Sequence, residues 1–123
     1  WAIGKWSARF GFDRMSDPAS LPLLLFVFQL CYLLFAPAAL AVSRWHEREA
    51  DRFALELTQW NRDGAEGFVR LQQENLAVPR RGPIYQFFRG THPTLAERIH
   101  FCNDYRPWEN GQPLLYGNLF GQP

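Results

Sequence analysis

Charge is missing where it would matter most: residues 21–42 (LPLLLFVFQLCYLLFAPAALAV) contain no Asp, Glu, Lys or Arg. That absence excludes an ordinary solvent-facing helix there. Cysteine is scarce as well, with only Cys31 and Cys102, far apart. A disulfide framework is therefore not expected, and no C-x-x-C pair is available for a zinc knuckle. Net charge is small, 13 basic against 12 acidic side chains for a formal +1. Nucleic acid is not an expected partner, because such proteins carry a clustered basic footprint. No internal repeat and no strong hairpin signal appear. The start shows no signal-peptide pattern, and the chain opens on Trp1 rather than Met; it is expected to be a fragment of a longer protein.

What is abundant is aromatic: 16% of the chain, with five Trp and eleven Phe. This suits a membrane interface or an apolar chamber. As a helix the run 21–42 would be roughly 33 Å long, enough to cross the hydrocarbon core. Asp17 followed by Pro18 is a helix-start signal in front of it. Pro37 is expected to kink the span, and Gln29 to face protein rather than lipid. Lys5, Arg9 and Arg14 before the run balance Arg44, Arg48 and Arg52 after it, so charge does not set the orientation. Residues 1–15 mix Trp1, Ile3, Trp6, Phe10 and Phe12 with basic side chains, as an interfacial stretch or the end of an earlier span would.

Beyond the run, a helix is expected over 43–60, with Trp45, Ala50, Phe53, Ala54, Leu57 and Trp60 as its apolar side. Asn61-Arg62-Asp63-Gly64 reads as its end. A second helix is expected over 65–76, with Phe68, Leu71 and Leu76 turned inward. Residues 79–90 read as a loop, with Ile84-Tyr85-Gln86-Phe87-Phe88 as an exposed or docking aromatic patch. A third helix opens near Thr91-His92-Pro93, with Thr94 and Glu97 at capping-box spacing, and runs to about Cys102. The tail should be irregular and pack through Trp108, Leu114, Leu115, Tyr116 and Phe120.

The chemistry centres on Glu47 and Asp51 in SRWHEREAD. Four residues apart on a helix, they share one face. One carboxylate of such a pair can bind a metal while the other holds a neighbouring ligand by a hydrogen bond. The plain alternative is a solvated pair of helix carboxylates, Asp51 pairing with Arg48 or Arg52. Glu49 is offset from that face and is expected in solvent or paired with Arg52. His46 and His100 are expected at the surface.

The blocks DPASLPLLL, SRWHEREADRFALELT, FVRLQQENLAVP and THPTLAERI, in that order across residues 16–102, resemble the type I CAAX prenyl proteases, integral-membrane zinc endopeptidases of the gluzincin type, and most of all a bacterial relative of that group. The resemblance implies Zn²⁺ as cofactor, Glu47 as the third zinc ligand and Asp51 as support for a zinc-binding histidine. It implies His92 as an oxyanion-stabilising catalytic histidine and Arg98 as a basic residue of the same motif, pairing near Asp51. The sequence departs from the family in having no H-E-x-x-H: the residue four after His46 is Ala50, and the other histidines are His92 and His100. The two zinc histidines and the catalytic glutamate are expected in an upstream part of the same polypeptide, and the fragment alone is expected to be inactive.

The reading is therefore an all-α chain: an interfacial segment 1–20, a transmembrane helix 21–42, a helical metallopeptidase segment 43–103 and an irregular tail 104–123. Its partners would be the lipid bilayer and a protein or peptide substrate, in a bacterial inner membrane. The competing reading is a membrane-anchored interaction module, a pseudoprotease that kept the fold. A transporter segment leaves THPTLAERI unexplained.

Overall fold

The computed structural model describes residues 5, 7, 9–12, 14, 16–76 and 78–121. Its backbone is helical, with no strand among those residues. Contacts divide the chain into two units, Trp1–Pro37 and Ala38–Pro123.

In the first unit Lys5, Ser7, Arg9 and Phe10 are helical. The expectations for Trp1, Ile3 and Trp6 lie outside the described residues. Asp17 caps a 3₁₀ turn, Pro18–Ser20, its carboxylate accepting the Ala19 N–H at 2.9 Å. That turn leads straight into α1, Leu21–Thr58. The helix continues through Pro37. Among the described residues it is the one helix long and apolar enough to cross a membrane, and very little of its apolar stretch is buried.

The second unit holds the packed core. α1 stops at Thr58, and Gln59 takes a positive φ of 57°. α2, Asn61–Glu74, begins at once. Asn61 to Gly64 thus form its first turn rather than a terminator. The cause is long-range: the buried Asn61 amide donates to the carbonyls of Cys102 (2.5 Å) and Tyr105 (2.9 Å), satisfying the end of another helix. Buried amides are retained where they find such partners. Gly64 matters for space, since a Cβ there would sit 3.3 Å from Cys102 Sγ.

α3, Pro83–Arg89, replaces the expected loop, with Pro83 at a helix start. Its aromatic side chains are exposed, as expected. α4, Leu95–Asp104, starts at the capping box, with Thr94 and Glu97 bonding each other's backbone. The carboxylate of Glu97 is partly buried, but hydrogen bonds from Thr94 and the charges of Arg48 and Arg44 prevail and lower its pKa. The tail forms two short 3₁₀ turns, Pro107–Asn110 and Gly117–Phe120.

The core is small: Leu55, Ala65 and Cys102, with Phe68, Ile99, Phe101, Tyr105 and Trp108 against it. α2 and α4 form the main helix pair. Two expectations fail here. Phe68 packs against the core as expected, but Leu71 is exposed, and Leu76, which lies past the end of α2 at a positive φ of 47°, is 91% exposed. On α1, Trp45 and Leu57 are exposed, as is Trp60 just before α2, while Leu55 and Glu56 are buried. The covered side of α1 in this unit is therefore largely its polar one. In the tail Tyr116 and Phe120 pack on Phe53, and Trp108 on Tyr105, whereas Leu115 is exposed.

Candidate functional site

One turn of helix separates Glu47 from Asp51, and both point toward α4 and the turn before it. Arg98, on α4, joins them. Its Nε donates to Asp51 Oδ2 at 2.8 Å and its Nη2 to Oδ1 at 2.5 Å, a two-point fork. Its Nη1 lies 3.2 Å from Glu47 Oε2. The same guanidinium stacks over the Phe68 ring, 4.2 Å from its centroid. Such a planar, forked cation is suited to bidentate carboxylate pairing. Burial works against its charge, but the hydrogen bonds and charge of Asp51, then the charge of Glu47, raise the Arg98 pKa. Asp51 does not pair with Arg48 or Arg52.

The other oxygen of Glu47 meets a histidine. His92 Nδ1 lies 3.0 Å from Glu47 Oε1. Exposure rises along this row: the side chains of Asp51, Arg98, Glu47 and His92 are 10%, 17%, 32% and 62% exposed. The inner end is a fixed ion pair, and the outer end opens on a cavity of about 400 Å³ that Glu47, His92 and Arg98 share with Asn75, Arg81 and Gln86. All four residues singled out in the sequence therefore come together. His46 and His100 stand apart at the surface.

The sequence did not reveal what holds His92 there. Gln86 Nε2 donates to the His92 backbone carbonyl at 2.6 Å. Arg44 Nη1 donates to the carbonyls of Gly90 (2.7 Å) and Gln86 (3.2 Å) at the end of α3, the second of which also accepts the Gly90 N–H. Gly90 is needed for this: a Cβ on it would lie 2.5 Å from the Gln86 side chain and 2.7 Å from the Gln86 carbonyl. Arg44 sits three residues before Glu47, on the same side of the helix, which was the available signal.

A second carboxylate was also missed. Glu56 is 1% exposed, yet accepts from Tyr105 Oη, Leu115 N (3.0 Å) and Tyr116 N (2.7 Å). Burial, the Glu56 hydrogen bond and its charge push the Tyr105 pKa from 10.0 to about 12. Glu49 is bound by Arg52 at 2.5 Å, as expected, and by Tyr116 Oη at 2.7 Å. Among the described residues no group of three or more His, Cys, Asp or Glu is placed to hold a metal ion.

Residues 3–105 match peptidase family M48. The chain is 34% identical over 90 residues to an "uncharacterized metalloprotease YhfN" of Bacillus subtilis, covering 73% of this chain and 21% of that protein. It is 37% identical over 93 residues to a "CAAX prenyl protease 1 homolog" of Arabidopsis thaliana, with the same coverages of 73% and 21%. To "CAAX prenyl protease 1" of Saccharomyces cerevisiae it is 36% identical over 58 residues, 47% of this chain and 13% of that one. The chain thus spans about a fifth of the length of the first two curated relatives it matches. No solved structure matches it.

Proposed function

The chain belongs to peptidase family M48, and from that premise we propose that it forms part of a membrane-embedded, zinc-dependent endopeptidase acting on protein or peptide substrates near a bilayer. The observation that carries the reading is the shared rim of one cavity. There Glu47 holds His92 with one oxygen and Arg98 with the other.

Glu47 suits a zinc ligand. It is a carboxylate at an open edge, oriented by a cation, and a partly exposed histidine takes the oxygen a metal would need. Zinc, when bound, would polarise the scissile carbonyl and acidify a water. The remaining ligands would come from an H-E-x-x-H segment of the same polypeptide, which this sequence does not include. Asp51, fixed by the Arg98 fork, is assigned the support of a zinc-binding histidine. Arg98 is assigned the orientation of both carboxylates. His92, once released from Glu47, is in reach to donate to an oxyanion at the cavity mouth. The apolar run 21–42 is assigned to the membrane, a bacterial inner membrane in keeping with the Bacillus relative.

The test is zinc content and peptidase activity of the full-length protein and its Glu47→Ala variant in detergent. About one zinc per chain, lost with activity in the variant, is the expected result. Zinc and turnover retained without Glu47 overturn the ligand assignment. No zinc in either protein overturns the enzyme reading and leaves the pseudoprotease one.

A further inference from the structure

α3 touches the rest of its unit by a narrow edge. Within it only Gln86 is half-buried, and Gly90 directly after it is buried. Its other side chains point outward, with Ile84 77% and Phe87 53% exposed. Tyr85 and Phe88 are exposed too, and so are Leu76 and Val78 just upstream. A soluble surface seldom exposes so many large apolar side chains within so short a stretch of chain.

Along the sequence, the charges that flank α3 have one sign, although Glu97 of α4 lines a cavity with Arg80, Arg81 and Phe87. Between Glu74 and Glu97 the sequence contains no acidic residue, but it does contain Arg80, Arg81 and Arg89. Arg81 lies over the Tyr85 ring, 5.2 Å from its centroid. Glu97, the nearest acid downstream, is committed to the capping box. Exposed aromatic and aliphatic side chains interleaved with arginine are the composition of a segment that lies in a headgroup layer.

The height of α3 is set by Arg44. This residue bonds to the carbonyls of Gln86 and Gly90 and stands two positions after Val42, the last residue of the uncharged run. At the helical rise the anchor lies about 3 Å beyond the end of that run. The headgroup layer on each side of a bilayer is roughly 5–8 Å thick. The clamp therefore ties α3 to the stretch of α1 that would pass through this layer.

We propose that α3 and its flanking arginines form an interfacial anchor that lies against the anionic lipid surface of the bilayer. This rests on the membrane assignment of residues 21–42 made above. The anchor goes beyond that assignment, because a second, non-spanning segment would then touch lipid. It would hold the Gly90 to His92 turn, and with it the mouth of the cavity, at the membrane surface.

An environment-sensitive fluorescent amino acid placed singly at Leu33, Ile84 or the exposed Asn118 of the full-length protein tests this. The protein is reconstituted in nanodiscs of phosphatidylcholine, with or without phosphatidylglycerol. Nitroxide lipids, spin-labelled at the headgroup or deep in the chain, serve as quenchers. Leu33 should respond to the deep nitroxide and Ile84 to the headgroup nitroxide, more strongly with phosphatidylglycerol. Asn118 should respond to neither. Reversing the charges at Arg80, Arg81 and Arg89 to Glu should cut the Ile84 response roughly twofold or more and leave Leu33 unchanged. If Leu33 is quenched in the chain region but Ile84 answers only to aqueous iodide, α3 faces water and the anchor is refuted. If Ile84 is shielded from both lipid and iodide, protein covers the patch and the anchor is equally refuted. If Leu33 itself escapes the lipid quencher, the span fails first, and the anchor falls with it.

Discussion

Glu47 and Glu56 lie nine residues apart on the same helix, and the chain treats them in opposite ways. Glu56 is buried and saturated: a phenol and two backbone N–H groups from the tail converge on it. Its charge is stabilised by fixed donors, as a buried carboxylate requires, and its effect is to fasten residues 115–116 to α1. Glu47 meets two side chains at the rim of a cavity, one of them the exposed His92. The difference teaches that burial alone does not mark a working carboxylate. Glu56 is held by three fixed donors, whereas Glu47 is a third exposed and keeps a partner that faces solvent.

The sharpest way to break this contrast is to remove each carboxylate in the full-length protein. Glu47→Ala should take peptidase activity to background and strip the zinc. Glu56→Ala should keep its zinc, but lose about 2–4 kcal/mol of stability as the donors around it go unpaired. Equal zinc loss in both would erase the distinction. His92→Ala comes next. As an oxyanion donor it should cost about 10²- to 10³-fold in kcat with zinc near stoichiometric. A fall in zinc content would instead place His92 among the ligands. Asp51→Asn should weaken zinc affinity by about 10- to 100-fold, read by competition with a chelator, since supporting hydrogen bonds act on this scale. The smallest effect concerns the closed side. The folded Tyr105 pKa is raised from 10.0 to about 12. A raised pKa means stability that is complete below the ordinary tyrosine value and is lost as pH climbs toward the folded one. The thermal midpoint should therefore drop between pH 10 and about 12, and Tyr105→Phe should flatten that drop. An unchanged slope in the variant would show that another group titrates there.

Much of this was legible from local chemistry. Asp17 with Pro18 and Thr94 with Glu97 announce two helix starts, and both caps form as their spacing predicts. The uncharged run marks α1. What escaped depends on distant partners. Asn61 reads as a helix stop until its amide is seen bonding Cys102 and Tyr105, more than forty residues on. The apolar side expected for the helix over 43–60 is largely exposed, because periodicity gives a helix's apolar side without telling what lies against it. In the site, the spacing of Glu47 and Asp51 was visible, but the link to His92 and Arg98 came from the resemblance to a family and not from any local pattern. Glu56 gave no signal, since its partners are the phenol of a distant tyrosine and backbone N–H groups of an irregular tail.

Gly90 is a lever on His92 that touches none of the chemistry. Every other amino acid brings a Cβ, and that atom has no room beside Gln86. Every missense change in this one codon thus wedges apart the clasp that aims the histidine, two residues from the ring itself. A screen for heat-sensitive or slowed alleles should find position 90 early. A graded series there, from Ala to Ser to Val, would work as a dial on the placement of His92, leaving Glu47, Asp51 and Arg98 chemically intact.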